Sequence, residues 1–377
     1  MVRRVLKRIL QLSNYYYPEV GGIEKIAQSI SNAVKDDSDI RVVCFTHEKE
    51  DREDKVDDVK IWRFGTKLLI ASQQLSFSIV GKLKTILNRY NPDTIIIHMP
   101  NPFLCFLLLN YVKKEQEVVV YWHSDIVKQK VGNTIFKPLI MKLLERASKI
   151  ICTSPNYIDG SYYLSQFKDK CVVVPNCIEE DTLSVDDDVK DKVQELRNKY
   201  SDKIICVGIG RQVPYKGFEY IVQAMKLLDD RFELFLLGRK GESTDEIVRL
   251  SKGIKNVHLV GEVSDEERKT YLAACDIFCF PSITKNEAFG IALAEGMYFN
   301  KPALTFTIPG SGVNYVSIDN ETGLEVPNRD VKAYAEAMKY LADYPDQRKE
   351  YGENAGKRVR ELFLYSEFKD NIRKVLL

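Results

Sequence analysis

Short apolar runs separated by segments of helical periodicity recur along this chain, and that alternation constrains the fold more than any other feature. In the first half, the runs 5–12, 41–45, 60–64, 94–98, 118–122, 150–153 and 172–174 predict strands, and the segments between them predict helices. The second half repeats the theme at 204–209, 233–237, 257–260, 277–280 and 303–306, with helices in the gaps and from residue 331 onward. Apolar strands joined by crossover helices form parallel sheets, buried on both faces. The pattern breaks around Pro175-Asn176, and residues 179–191 are acidic and poor in apolar side chains, as a linker is. At 377 residues the chain has room for two α/β domains of about 180 residues, each with its own core. We therefore expect two Rossmann-like domains facing across a cleft, the first ending at residue 177.

The longest uncharged stretch, 94–112, approaches the length of a bilayer span but carries Pro100-Asn101-Pro102 in its first half. A strand, a turn and a helix are expected there. The N-terminal MVRRVLKRILQLS lacks a long apolar core and a small-residue cleavage site, and does not read as a signal peptide. Eight cysteines are scattered through apolar runs with no CxxC pair, as expected of reduced core residues in a cytoplasmic protein. Cys275 and Cys279 have no histidine cluster with which to form a zinc site. The net charge of +1 conceals an asymmetry: residues 1–177 hold 26 Lys and Arg against 19 Asp and Glu, the remainder 29 against 35. Residues 66–92 carry Lys67, Lys82, Lys84 and Arg89 with no acid, and 123–149 carry six cations, Lys128 among them, against Asp125 and Glu145. Within the latter, FKPLIMKLL (136–144) suits either an interfacial helix at an anionic membrane or a core-facing helix with solvated lysines. Nucleic acid is not an expected partner, since no aromatic-basic interleaving or known binding motif appears.

Candidate chemistry concentrates in NEAFGIALAEGMYFNKPAL (286–304), which places Glu287 and Glu295 eight residues apart. On one continuous helix they would lie about 12 Å apart along the axis and on divergent faces. A helix that starts between them instead puts Phe289, Gly290 and Ile291 in its opening turn, with free backbone N–H groups for an anion. Glu287 then sits in the preceding loop and Glu295 two turns inside. The string follows the strand 277–280, and open α/β sheets bind ligands at such carboxyl ends. Gly208-Ile209-Gly210 ends another strand and leads to Arg211 and Lys216, with a helix expected over 217–228. Two fixed cations beside a helix N-terminus offset the charge of a diphosphate leaving group without a metal. Gly22, before a helix over 23–34, lets backbone approach a phosphate or acceptor, or simply makes a tight turn. His123 ends the strand 118–122 and is placed to enter the cleft, unless neighbours satisfy it structurally. Gly238-Arg239-Lys240-Gly241 and Gly261-Glu262-Val263 also follow strands, where Gly261 and Val263 either grip a nucleotide base or merely turn the chain. Asp37-Ser38-Asp39 has the form of a metal-binding DxD, but precedes a strand in a charged turn and reads as a solvated loop.

The segments YYYPEVGGIEKIA, YWHSDIVKQK, VVVPNCIEE, GIGRQVPYKGFEYIV, VHLVGEV and NEAFGIALAEGMYFNKPAL, in that order, resemble the retaining GT-B glycosyltransferases of family four over nearly the whole chain. The resemblance implies an α/β GT-B fold with an acceptor-side domain at 1–177, a nucleotide-sugar-binding domain at 178–361 and a terminal helix, 362–377, that crosses back to the first domain. It implies Arg211 and Lys216 as a diphosphate clamp and Glu295 as a ribose ligand. Glu287, with the backbone of Phe289, Gly290 and Ile291, would hold donor sugar and phosphate. His123 would approach the transferred sugar, and Gly22 would lie by the donor phosphates and acceptor. No metal, cofactor or covalent intermediate is implied: acceptor and leaving group meet on one face of the sugar, and the donor phosphate takes the acceptor proton. Cys177 departs from the glycine usual in the family, which touches the local turn.

The function so implied is transfer of a hexose from a nucleoside-diphosphate sugar to a glycan or lipid-linked acceptor in surface-polysaccharide assembly. The expected location is cytoplasmic, with peripheral contact at the inner face of the membrane. WHSDIVKQK is similar to segments of O-antigen mannosyltransferases, which points first to GDP-mannose and keeps UDP-hexoses as the alternative. A nucleotide-sugar epimerase of the same fold and a non-catalytic nucleotide- or glycan-binding protein are the rival functions. A dinucleotide oxidoreductase is disfavoured because no GxGxxG follows the first strand.

Overall fold

Strand segments buried on both faces seed two separate sheets. The computed structural model, which describes residues 6–377 apart from 20, 67, 71, 72 and 126–129, divides into two compact units, Met1–Asn176 with Ser366–Leu377, and Cys177–Tyr365. Lys67 and Lys128 lie outside the described residues.

The first unit contains β1 (Lys7–Leu12), β2 (Ser38–Thr46), β3 (Arg52–Val56), β4 (Val59–Gly65), a separate hairpin of β5 (Leu68–Ile70) and β6 (Gln73–Leu75), then β7 (Thr94–Met99), β8 (Glu117–Trp122), β9 (Lys149–Cys152) and β10 (Cys171–Val173). Eight of these form one sheet in the order β10-β9-β8-β7-β1-β2-β4-β3, parallel except at β3–β4. The apolar stretch 94–112 resolves into β7, whose six side chains are all buried, and the helix Pro102–Tyr111. Asn101 caps that helix, its side chain accepting from Leu104 N at 2.9 Å, and Pro102 supplies the preset φ of a first turn.

Two expectations need correction here, and the alternatives for 136–144 are resolved. The segment between β2 and β4 is not a helix: Arg52–Val56 (REDKV) pairs antiparallel with β4, a charged edge strand that tolerates polar side chains because it has one neighbour only. Glu53 accepts from Trp62 Nε1 at 3.1 Å and pairs with Lys60 at 2.7 Å, while Asp54 pairs with the buried Arg63 at 2.9 Å. Asp37-Ser38-Asp39 is not a solvated loop either. Ser38 opens β2 buried, donating to Val34 O at 2.8 Å, and Asp37 pairs with Arg373 at 2.7 Å and Asp39 with Arg41 at 2.9 Å. Residues 136–144 lie in the helix Lys130–Arg146 with Ile140, Leu143 and Leu144 fully buried and Lys137 and Lys142 exposed, so the apolar face serves the core.

The second unit contains β11 (Ile204–Ile209), β12 (Phe232–Leu237), β13 (Val257–Gly261), β14 (Ile277–Phe280), β15 (Ala303–Phe306) and β16 (Gly323–Val326), all parallel, in the order β13-β12-β11-β14-β15-β16. This is the doubly wound order of a dinucleotide-binding fold, reversing direction between β11 and β14. The four-residue β16 (GLEV) escapes sequence reading because it is short and flanked by polar turns. The helix after Lys216 is shorter than expected, Phe218–Met225, because Pro214–Lys216 form a 3-10 turn and Gly217 enters the helix at φ +65°. Among the described residues, no helix is long and apolar enough to cross a membrane.

The terminal helix Tyr365–Leu376 buries Phe368, Ile372, Val375 and Leu376. Lys7 Nζ donates to Leu376 O at 2.8 Å and Lys149 Nζ to Val375 O at 2.7 Å, while Arg373 reaches Asp37. Both tryptophans of the chain, Trp62 and Trp122, lie in the first unit, so their fluorescence reports its unfolding. A chain ending at Tyr365 is expected to unfold at lower urea by this probe, since each lost buried apolar side chain is worth about 1.5–3 kcal/mol. An unchanged midpoint would show that the helix adds nothing to that unit.

Candidate active site

Loops at the carboxyl edge of the second sheet are pressed together by glycines. A Cβ on Gly217 would stand 2.2 Å from Pro281 O, and one on Gly312 would stand 2.0 Å from Ala288 O. The loops after β11, β14 and β15 thereby touch through backbone. Hydrogen bonds fasten them: Ile283 N donates to Tyr215 O at 2.9 Å, and Ser311 Oγ to Glu287 O at 2.5 Å.

Within this frame Lys216 and Glu287 form an ion pair, both side chains largely buried, that spans the point where strand order reverses. Ser282 Oγ donates to the same carboxylate oxygen at 3.3 Å. Arg211 is exposed and has no carboxylate partner among the described residues. The helix carrying the second glutamate is Ile291–Tyr298, and it does begin between Glu287 and Glu295; Gly290 precedes it at φ +96°, with the Phe280 ring 3.3 Å from where a Cβ would be. Ile291 is the first helical residue and Phe289 is buried, its ring meeting Phe363 edge-on at 5.3 Å. The first-turn N–H groups have no helical acceptors. Glu295 is the fifth helical residue, a little over one turn inside rather than two.

Sequence reading did not supply Glu295 with a partner. Arg268, on the helix Asp265–Ala274 that follows β13, pairs with it at 2.6 Å. Burial works to lower the Arg268 guanidinium and Glu295 outweighs it, so Arg268 is held above its ordinary value. A buried glutamate requires such a cation, and an arginine one turn into a helix beyond a strand-end loop was the available signal. Gly261 ends β13 at φ +87° with open space around it, its carbonyl accepting from Gly238 N at 2.6 Å. Val263 is partly buried beyond it, and Arg239 and Glu262 link the two loops at 2.7 Å.

In the first unit the order reverses between β1 and β7. Gly22 is the first residue of the helix Gly22–Val34 that follows β1, and it is exposed. Asn14, after β1, accepts from Asn101, after β7. His123, just past β8, is 8% exposed and lies 2.7 Å from His98 of β7, Nε2 to Nδ1. Burial pushes the His98 imidazole down to about 3, and burial together with His98 holds His123 well below its usual range, so both rings are neutral. His98, Asn14, Asn101 and Arg268 were all missed from sequence, because each acts through a partner on another strand or helix.

These two carboxyl edges match known proteins in both halves. Residues 20–182 match the family described as Glycosyltransferase Family 4 and residues 189–358 that described as Glycosyl transferases group 1. Over 361 residues, 94% of each chain, the sequence is 31% identical to O-antigen chain mannosyltransferase C of Escherichia coli. The chain is a GT-B glycosyltransferase of group 1, family 4. The glycosyltransferase is also 29% identical to D-rhamnosyltransferase WbpZ of Pseudomonas aeruginosa, over 94% of this chain and 92% of that one. Its fold is shared with a sucrose-phosphate synthase from Thermosynechococcus elongatus, at TM-score 0.79, 18% identity and 98% coverage of both chains. Anabaena Alr3699/HepE in complex with UDP-glucose superposes at TM-score 0.77 and 16% identity, over 98% of this chain and 99% of that one.

The neutral histidine pair has a consequence for stability. A buried histidine whose folded value is depressed binds its proton only in the unfolded chain as pH falls through about 6.5, so unfolding is favoured below that point. Urea unfolding of the first unit, followed by tryptophan fluorescence, is expected to be level from pH 8 to 7. It then loses up to about 1.4 kcal/mol per histidine for each pH unit below 6. Constant stability down to pH 5 would show that the folded pair takes up protons as readily as the unfolded chain.

Proposed function

We propose that this glycosyltransferase is a retaining, metal-independent hexosyltransferase that moves mannose from GDP-mannose to a glycan or lipid-linked oligosaccharide in surface-polysaccharide biosynthesis. The observation that carries this reading is the near full-length similarity to an O-antigen chain mannosyltransferase. A D-rhamnosyl donor is the second reading, favoured by the comparable similarity to WbpZ.

In this proposal Arg211 and Lys216 hold the donor diphosphate. Arg211 has no carboxylate partner among the described residues, and Lys216 exchanges its bond to Glu287 for one to phosphate oxygen, which frees Glu287 for the sugar hydroxyls. Backbone N–H groups at Phe289, Gly290 and Ile291 face the sugar and phosphate, Glu295 accepts from the ribose hydroxyls, and Gly261 and Val263 flank the base. The first unit supplies Gly22 beside phosphate and acceptor, and His123 to the transferred sugar. The acceptor oxygen bonds to the anomeric carbon as the bond to the diphosphate oxygen breaks on the same sugar face. The acceptor proton passes to the departing diphosphate, whose negative charge Arg211 and Lys216 offset.

Thermal unfolding in EDTA with GDP, UDP, ADP and dTDP tests the donor. GDP alone is expected to raise the melting temperature, by mass action on the folded state, and Glu295→Ala to abolish the shift. A shift with UDP instead would replace the donor base, and no shift with any nucleotide would favour a binding protein for another ligand.

Peripheral contact with an anionic membrane belongs to the same proposal. The helix Phe77–Tyr90 holds no acid, exposes Phe77 at 71% and Val80 at 37%, and presents Lys84 and Arg89 to water. The enzyme is expected to sediment with acidic-lipid vesicles at low salt and to be released by salt. Sedimentation unaffected by Phe77→Ser with Arg89→Gln would remove that helix from the contact.

A further inference from the structure

His98 and His123 form a hydrogen-bonded pair whose direction follows from what surrounds it. His98 and Tyr121 are register partners on β7 and β8, and His123 follows Tyr121 by two, so all three side chains share one face of the sheet. The imidazole planes are 17° apart with centroids separated by 5.0 Å, the separation that two rings joined edge to edge by a 2.7 Å N···N bond require. Tyr121 lies against both, with centroids at 5.4 Å from His98 and 4.6 Å from His123, and its hydroxyl donates to Asn176 Oδ1 at 2.8 Å. The ring platform and the strand register fix the geometry before any ligand arrives.

Each neutral imidazole carries one N–H. If His123 Nε2 were the donor, His98 would carry its proton on Nε2, a fully buried atom with no hydrogen-bond partner among the described residues. A buried N–H without an acceptor is the rarer and costlier arrangement in protein interiors. With the bond reversed, that buried nitrogen holds only a lone pair. His123 Nδ1 has no hydrogen bond among the described residues, and His123 keeps 8% of its surface exposed.

We infer that His98 is a positioning residue that donates Nδ1–H to His123 Nε2 and so commits His123 to present Nδ1–H, as a hydrogen-bond donor, to a hydroxyl oxygen of the transferred sugar. The sugar contact rests on the function proposed above; the direction of the His98–His123 bond does not. His123 then acts as a fixed donor toward an oxygen and not as a general base, because its one acceptor nitrogen is already occupied.

Nitrogen-15 NMR of the histidine-labelled full-length protein reads this directly. The chain has four histidines, and His47→Gln and His258→Gln leave the pair alone in the spectrum. Long-range proton–nitrogen correlations are expected to show Nδ1 protonated and Nε2 unprotonated in both rings. Protonated Nε2 in either ring would overturn the inference. Addition of GDP-mannose, and not of GDP, is expected to shift His123 Nδ1. Absence of that shift with the expected tautomer would count against the sugar contact alone.

His98→Asn keeps an amide N–H near the position of Nδ1 and is expected to preserve the His123 tautomer. His98→Leu is expected to return His123 to a mixture and to slow release of GDP from GDP-mannose by about tenfold at unchanged GDP affinity. If His98→Leu does not fold, the wild-type spectrum decides. If it folds and leaves the His123 tautomer unchanged, His98 does not position it.

Discussion

Reversal of strand order is the constraint on which each unit depends. In the second unit the chain winds outward from β11 in one direction and from β14 in the other; in the first it does so from β1 and β7. The crossover connections that leave neighbouring strands in opposite directions open a crevice at their carboxyl ends. What fills it is set by chain connectivity before any residue type is considered. Lys216 and Glu287 stand on the two sides of one reversal, Asn14 and Asn101 on the two sides of the other.

The two crevices treat polarity differently. The second unit buries charge in pairs, Lys216 with Glu287 and Arg268 with Glu295, where loss of one partner leaves an uncompensated ion in a poorly solvated place. Such pairs are stable at rest and open to exchange by a ligand that brings both an anion and hydroxyl groups. A nucleotide sugar brings both. The crevice of the first unit instead holds neutral imidazoles and amides, whose bonds have direction but no net charge. That contrast suits the roles proposed for each, in which a diphosphate is met by ions and a sugar by oriented dipoles.

Most of the sheet framework was legible in the sequence because parallel strands are covered on both faces and therefore read as unbroken apolar runs, as in β7 and β14. Where that physical reason lapses, so does legibility. Strand β3 reads REDKV because one side of an edge strand faces water, and β16 is four residues long. The opening of the helix Ile291–Tyr298 was visible through Gly290, since a left-handed residue against the Phe280 ring admits no side chain. The partners Arg268 and His98 were not visible, because nothing local to either residue records the group it meets across the fold.

Gly217 and Gly312 carry the last step. Each is held where a single methyl group would collide with the backbone of another loop, so the loops after β11, β14 and β15 cannot separate without losing their packing, nor approach more closely. Lys216 and Glu287 thus stand in place before a donor binds. In the proposed function, association of the donor requires exchange of ion-pair partners rather than ordering of chain, and less binding free energy is lost to loop entropy. Under that proposal more of it remains for interactions that strengthen as the diphosphate departs, which is where such energy accelerates transfer.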